Sequence, residues 1–104
     1  MALSREGLLR TTTPRTDLVT IPGEDDKVRV RGMTNAEVID FSRRFGGRAY
    51  GDFPLLLWGV IDEDGASMLV EDDLPAIMGG NADRWMPLVA AINRLTGFTV
   101  APKA

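Results

Sequence analysis

Apolar and polar positions along this chain follow two different periods. Lys27-Val28-Arg29-Val30-Arg31 alternates strictly, which puts both valines on one face of a strand and the three cations on the other. Leu18-Val19-Thr20-Ile21 before it is short and β-branched. Pro22-Gly23 followed by Glu24-Asp25-Asp26 supplies a turn, with proline fixing one φ and glycine permitting a positive one. Residues 17–31 therefore read as a β-hairpin. A lone hairpin is unstable in water, so its valine face must pack on a helix or on another chain. Its cationic face either meets an acidic partner or phosphate, or is the charge that protects a solvated edge strand.

After Gly32 the period changes to helical. Thr34-Asn35-Ala36-Glu37 is a capping box, and Met33 and Val38 occupy the two positions of a hydrophobic staple. Val38, Phe41 and Phe45 recur on one face, with Ile39 widening the stripe. Arg43 and Arg44 fall in the last turn, where the helix dipole favours cations. A helix over about 34–45 is predicted, stopped by Gly46-Gly47.

The stretch Asp52–Gly65 is the apolar centre of the chain. Phe53–Ile61 is almost continuously apolar but far shorter than the roughly 20 residues needed to cross a membrane. It predicts a buried helix over about 53–62, capped by Asp52 and with Pro54 in its first turn. The alternative is a buried strand over Leu55–Ile61. Gly59 in its middle would let another helix approach closely. Asp62-Glu63-Asp64-Gly65 resembles a calcium loop only in composition. Counting from Asp62, the fifth position is Ala66 and the sixth Ser67, where such a loop needs an oxygen ligand and glycine. It reads as a turn. Met68-Leu69-Val70 is a short extended piece placed against the core.

Two more helices follow. Glu71-Asp72-Asp73 opens one over about 72–79, with Leu74, Ile77 and Met78 on one face and Gly79-Gly80 as its stop. The last, over about 82–96, is capped by Asn81 or Asp83. Trp85, Leu88, Val89, Ile92 and Leu95 form its apolar stripe. Gly97 suits the position after its last turn, with Phe98 closing back onto it. Trp85 and Met86 are either an interface hot spot or core. Met68 and Met78 are either adaptable contacts or core. Residues 1–16 form a basic, threonine-rich arm. Ser4 can cap one helical turn there, and Leu3, Leu8 and Leu9 would dock on this domain or on a neighbouring subunit. Residues 99–104 are a short tail. The fold class is α+β, mainly α: an N-terminal β-hairpin followed by about four helices in a small single-domain bundle spanning 17–98.

Composition removes most chemistry. The 104 residues contain neither cysteine nor histidine. Disulfides, thiolate catalysis and cysteine zinc sites are thereby excluded, and the usual general base and commonest metal ligand are missing. A nucleophile–base pair would need serine with lysine, or paired carboxylates. Ser4, Ser42 and Ser67 sit in no such context, and the carboxylates cluster in turns and helix starts. The glycine pairs follow helices, not strands, so neither makes a phosphate-binding loop. No catalytic residue, metal or cofactor is expected. The N-terminus lacks the apolar segment of a signal peptide. Net charge is −3, distributed as +2 over residues 1–48 and −5 over 49–104. The acidic half is either a solvated face or the basis of head-to-tail self-association or of a basic partner. A net acidic chain is a poor general binder of nucleic acid. A small regulator using Arg29, Arg31, Arg43, Arg44 and Arg48 is the reading that would remain.

In order and spacing, the chain resembles the tail assembly chaperones of long-tailed (siphovirus-type) phages and prophages. The matching pieces are Leu3–Leu9, Val19–Gly23 and Val28–Thr34, the last similar to the family's "V-x-V-R-x-L-T/S" with Met33 for leucine. They continue with Val60–Gly65 ("D-E-D-G"), Glu71–Asp73 and Ala90–Gly97. The glycine-rich Gly46–Asp52 linker and the sparsely charged central stretch depart from that pattern. The resemblance implies a protein that makes no covalent change. It would coat the tape measure protein and recruit tail tube subunits, often through a longer frameshifted form. It would act in the cytoplasm of the bacterial host and be absent from the mature virion. The alternative within phage assembly is a tail-completion or connector subunit. The surfaces suited to such contacts are Leu8, Leu9, Arg29, Arg31, Arg43, Arg44, Trp85 and Met86.

Overall fold

The structure, a computed structural model, describes residues 2–10, 13–47 and 49–97. The expected closing contact of Phe98 and the tail at 99–104 lie outside these residues, as does Arg48.

The first element, α1 (Arg5–Leu9), is one helical turn. Ser4 caps it: its Oγ accepts from the Gly7 amide at 3.0 Å. The hairpin follows as β1 (Thr16–Thr20) and β2 (Lys27–Arg31), antiparallel, with Val19 opposite Val28 and Leu18 opposite Arg29. Gly23 takes φ +85° in the turn. Next comes α2 (Asn35–Phe45), begun by the capping box as the sequence predicts. Thr34 Oγ1 accepts from the Glu37 amide at 3.2 Å, and Glu37 Oε1 accepts from the Thr34 amide at 2.9 Å. Met33 is buried and Val38 packs on the core, forming the staple. Ile39, expected to widen the apolar stripe, is mostly exposed instead. The buried face is the narrower one through Val38, Phe41 and Phe45.

The central stretch is not one helix over 53–62. A 3₁₀ turn (Phe53–Leu55) leads into a single α-turn, α3 (Leu56–Gly59), and the chain then extends into β3 (Val60–Ile61). Asp52 makes no side-chain capping bond. The physical reason lies at Val60 and Ile61, which are β-branched and pair antiparallel with Val30 and Arg29. Both the helical and the strand reading of this run thus hold for part of it. Its role as core holds throughout: Pro54, Leu55, Leu56, Leu57, Gly59, Val60 and Ile61 are all buried. β3 also changes the hairpin. Sheet order is β1-β2-β3, so the cation-bearing β2 is the middle strand and not a charged edge.

The acidic turn is held by its own first residue. Asp62 Oδ1 accepts from the amides of Asp64 (2.8 Å) and Ala66 (3.0 Å), and Gly65 takes φ +87°. Ser67 then bridges back to Ile61. The expected helix 72–79 is a 3₁₀ turn (Glu71–Asp73) followed by α4 (Leu74–Met78), and it buries Leu74 and Ile77 but leaves Met78 largely exposed. The last helix, α5 (Ala82–Thr96), matches its expected span; Asn81 stands at its N-cap position, but no side chain makes a capping bond there. Pro87 lies inside it. Gly97 closes it at φ +95°, donating its amide to the carbonyl of Asn93 at 3.1 Å.

The core is a layer between α5 and the inner sheet face. Val30, Leu55, Leu56, Leu74, Leu88 and Ile92 are all but fully buried. Two glycines set the spacing. A Cβ on Gly59 would overlap the Ile92 side chain of α5, and one on Gly32 would lie 2.6 Å from the Leu95 carbonyl oxygen. Met33 adds a hydrogen bond from its amide to Thr96 Oγ1 at 3.0 Å. The end of β2 is thereby fixed to the last turn of α5.

Candidate partner-binding surfaces

Strand alternation gives the sheet two unlike faces. Asp17, Val19, Val28, Val30 and Val60 point toward α5, whose Arg94 bonds Asp17 at 2.8 Å. The opposite face carries Leu18, Arg29 and Ile61 in one row. Ile61 is only 4 % exposed although it faces away from the core. It forms the floor of a groove of about 320 Å³, with Leu18 and Met68 as apolar walls. Lys27 and Arg29 line one part of this groove, Asp62 and Glu63 another. Met68, expected against the core, is 59 % exposed here, and of Met68–Val70 only Leu69 packs inward.

The arm is the second surface. No residue of α1 is buried, and Leu3, Leu8 and Leu9 are 70, 73 and 59 % exposed. Among the described residues these apolar side chains face water on a helix too short to persist alone, which marks them as candidate contact groups.

The arginines divide into free and committed. Arg31 is committed: Nη1 donates to Glu37 Oε1 at 2.8 Å and Nη2 to Oε2 at 2.6 Å, while Nη1 also reaches the Gly32 carbonyl at 2.9 Å. This two-pronged bond holds the Glu37 carboxyl below its ordinary range, with the Thr34 amide adding to the effect and partial burial opposing it. Arg44 is also engaged. It bonds Glu71 at 2.5 Å, pairs with Asp40 at 3.5 Å, and lies over the rings of Phe45 and Trp58 at 5.1 and 5.6 Å. Trp58 in turn meets Phe41 and Phe45 edge-on, with centroids 6.2 and 6.1 Å away. Arg44 thus ties α2 to the turn before α4. Arg29 stays on the groove wall, and Arg43 is exposed with no ion-pair partner among the described residues.

Trp85 and Met86 separate. Trp85 is half-buried and packed against the core, its indole lying over Gly80. Met86 is largely exposed. The structure therefore gathers Arg29 into a groove that sequence reasoning did not assemble. Leu18 and Ile61 carry no sequence signal because they meet only through sheet pairing, whereas Met68 is exposed, as its reading as an adaptable contact requires. The nucleic-acid reading loses Arg31 and Arg44 to internal ion pairs. Among the described residues, no group of three or more Asp or Glu side chains is arranged to share a metal ion, and no helix is long and apolar enough to cross a membrane.

Comparison with family models, curated proteins and solved structures finds no match to this chain.

Proposed function

We propose that this chain is a non-enzymatic tail assembly chaperone of phage or prophage origin, which binds the tape measure protein and helps bring tail tube subunits to it. The observation that carries this reading is the exposure of apolar contact groups on an arm and on one sheet face. The sequence, meanwhile, lacks every histidine and cysteine. The ordered motifs across residues 3–97 support the same class. The resemblance implies a long helical tape measure protein that is coated before tube subunits polymerise around it. Leucines on an arm and a groove with both charge signs suit that task, because they bind apolar surface without fixing one sequence.

The test is co-expression with the tape measure protein encoded beside it. The chaperone is expected to co-purify with that protein and to keep it from aggregating, and to be missing from finished particles. Failure to do either of the first two removes this reading. Retention in particles points to a tail-completion or connector subunit instead.

A further inference from the structure

Among the described residues, two apolar features are left exposed to solvent. The arm presents Leu3, Leu8 and Leu9, and the outer sheet face presents the Leu18–Ile61–Met68 groove. We propose that the arm of one copy docks in the groove of a second copy, making a head-to-tail contact.

Charge selects this pairing. Residues 1–16 carry Arg5, Arg10 and Arg15 against the single acid Glu6. Asp62-Glu63-Asp64 stands at one end of the groove. Among the described residues, Arg5, Arg10, Glu63 and Asp64 have no ion-pair partner. Docking brings the arm's cations to the acidic turn. Apolar contact supplies the attraction, and the opposite charges of the arm and the acidic turn add to it.

Chain direction selects a second copy over the arm's own groove. The Gly32 amide donates to the Arg15 carbonyl at 2.9 Å, which extends the hairpin ladder one residue beyond β1. The arm therefore leaves the sheet at its Arg31 end. The acidic turn lies toward the other end, because β3 runs from Val60 opposite Val30 through Ile61 opposite Arg29 and on toward Lys27. A returning arm would have to reverse direction to reach that end, whereas an arm arriving from another molecule would not. Because donor and acceptor surfaces differ, the contact is heterologous and each chain can both give and receive an arm. The inference does not depend on tail assembly.

The experiment is sedimentation velocity on the whole chain from about 10 µM to about 1 mM, the range for a small contact. The weight-average mass is expected to rise from the monomer's 11.3 kDa with concentration. An arm variant (Leu8→Asp with Leu9→Asp) and a groove variant (Met68→Asp) are each expected to stay monomeric. All three positions are exposed, so melting temperatures should match the parent and serve as the folding control. Mixing the two variants is decisive. One keeps a working groove and the other a working arm, so the mixture should form two-chain complexes and nothing larger. A parent that is monomeric throughout overturns the proposal, as does association that survives both variants or a mixture that stays monomeric. Concentration-independent changes in the Met68 methyl signal on altering the arm would assign the groove to its own arm and likewise overturn it.

Discussion

Gly59 shows how a single missing side chain sets a distance. With Ile92 fully buried against it, an added methyl has no room, and neither α5 nor α3 can move without opening the core. Gly59→Ala is expected to cost about 1–3 kcal/mol in chemical denaturation. Gly47→Ala, where open space surrounds the new Cβ, should change stability by less than about 0.5 kcal/mol. Glu37 gives a pH signature. Its carboxyl is depressed in the folded state, chiefly by Arg31, so the unfolded chain takes up the proton first as pH falls. The stabilisation is therefore complete above the ordinary glutamate value of about 4.5 and is lost as pH drops through the lower folded value. Glu37→Gln keeps the oxygen that accepts from the Thr34 amide but loses the charge. The urea midpoint gap between parent and variant should be constant near neutrality and shrink as the pH falls below about 4.5. A gap that widens with acid would contradict the assignment.

Elements were legible in proportion to how locally they are decided. α2 is decided by Thr34, Glu37 and Met33 within a few residues, and α5 by a stripe repeated over three turns, so both were readable at nearly their final bounds. β3 was not. It is two residues long, and what makes it a strand is Val30 and Arg29, thirty residues earlier in the chain. No periodicity within Phe53–Ile61 carries that information. The same distance effect hid the groove, whose floor and walls come from β1, β2, β3 and Met68. The arm leucines were readable because nothing else in the chain claims them. The engagement of Arg31 and Arg44 was not legible, because an ion pair between elements leaves no sequence spacing to find. The acidic turn can be tested as an element. Asp62→Ala removes the acceptor for two amides and should cost about 1 kcal/mol in thermal melts, whereas Asp62→Asn keeps an oxygen there and should cost much less.

At the scale of the molecule, stability rests on the apolar layer between α5 and the sheet. Leu56→Ala leaves a cavity at the centre of that layer and should cost about 2–5 kcal/mol. The ion pairs Arg84–Glu24 and Arg94–Asp17 also join α5 to the hairpin, but both are exposed. Removing either should cost no more than about 1 kcal/mol, and less in high salt. One of these residues has a second attachment. In the β1–β2 ladder, Leu18 opposite Arg29 is a pair that does not exchange hydrogen bonds, so its amide points to the open edge of β1. The Asp17 Oδ1 accepts from that amide at 2.8 Å. The consequence concerns the order of events during folding. The hairpin closes a short loop, while α5 must arrive from some sixty to eighty residues away, so β1 forms before its neighbours cover it. A bond between adjacent residues needs no tertiary structure and is available from the moment β1 is extended. Asp17 thus occupies the amide with which a second nascent chain could pair, during the interval when such pairing would be most damaging. Asp17→Ala should therefore lower the yield of refolding at high protein concentration far more than it lowers the melting temperature.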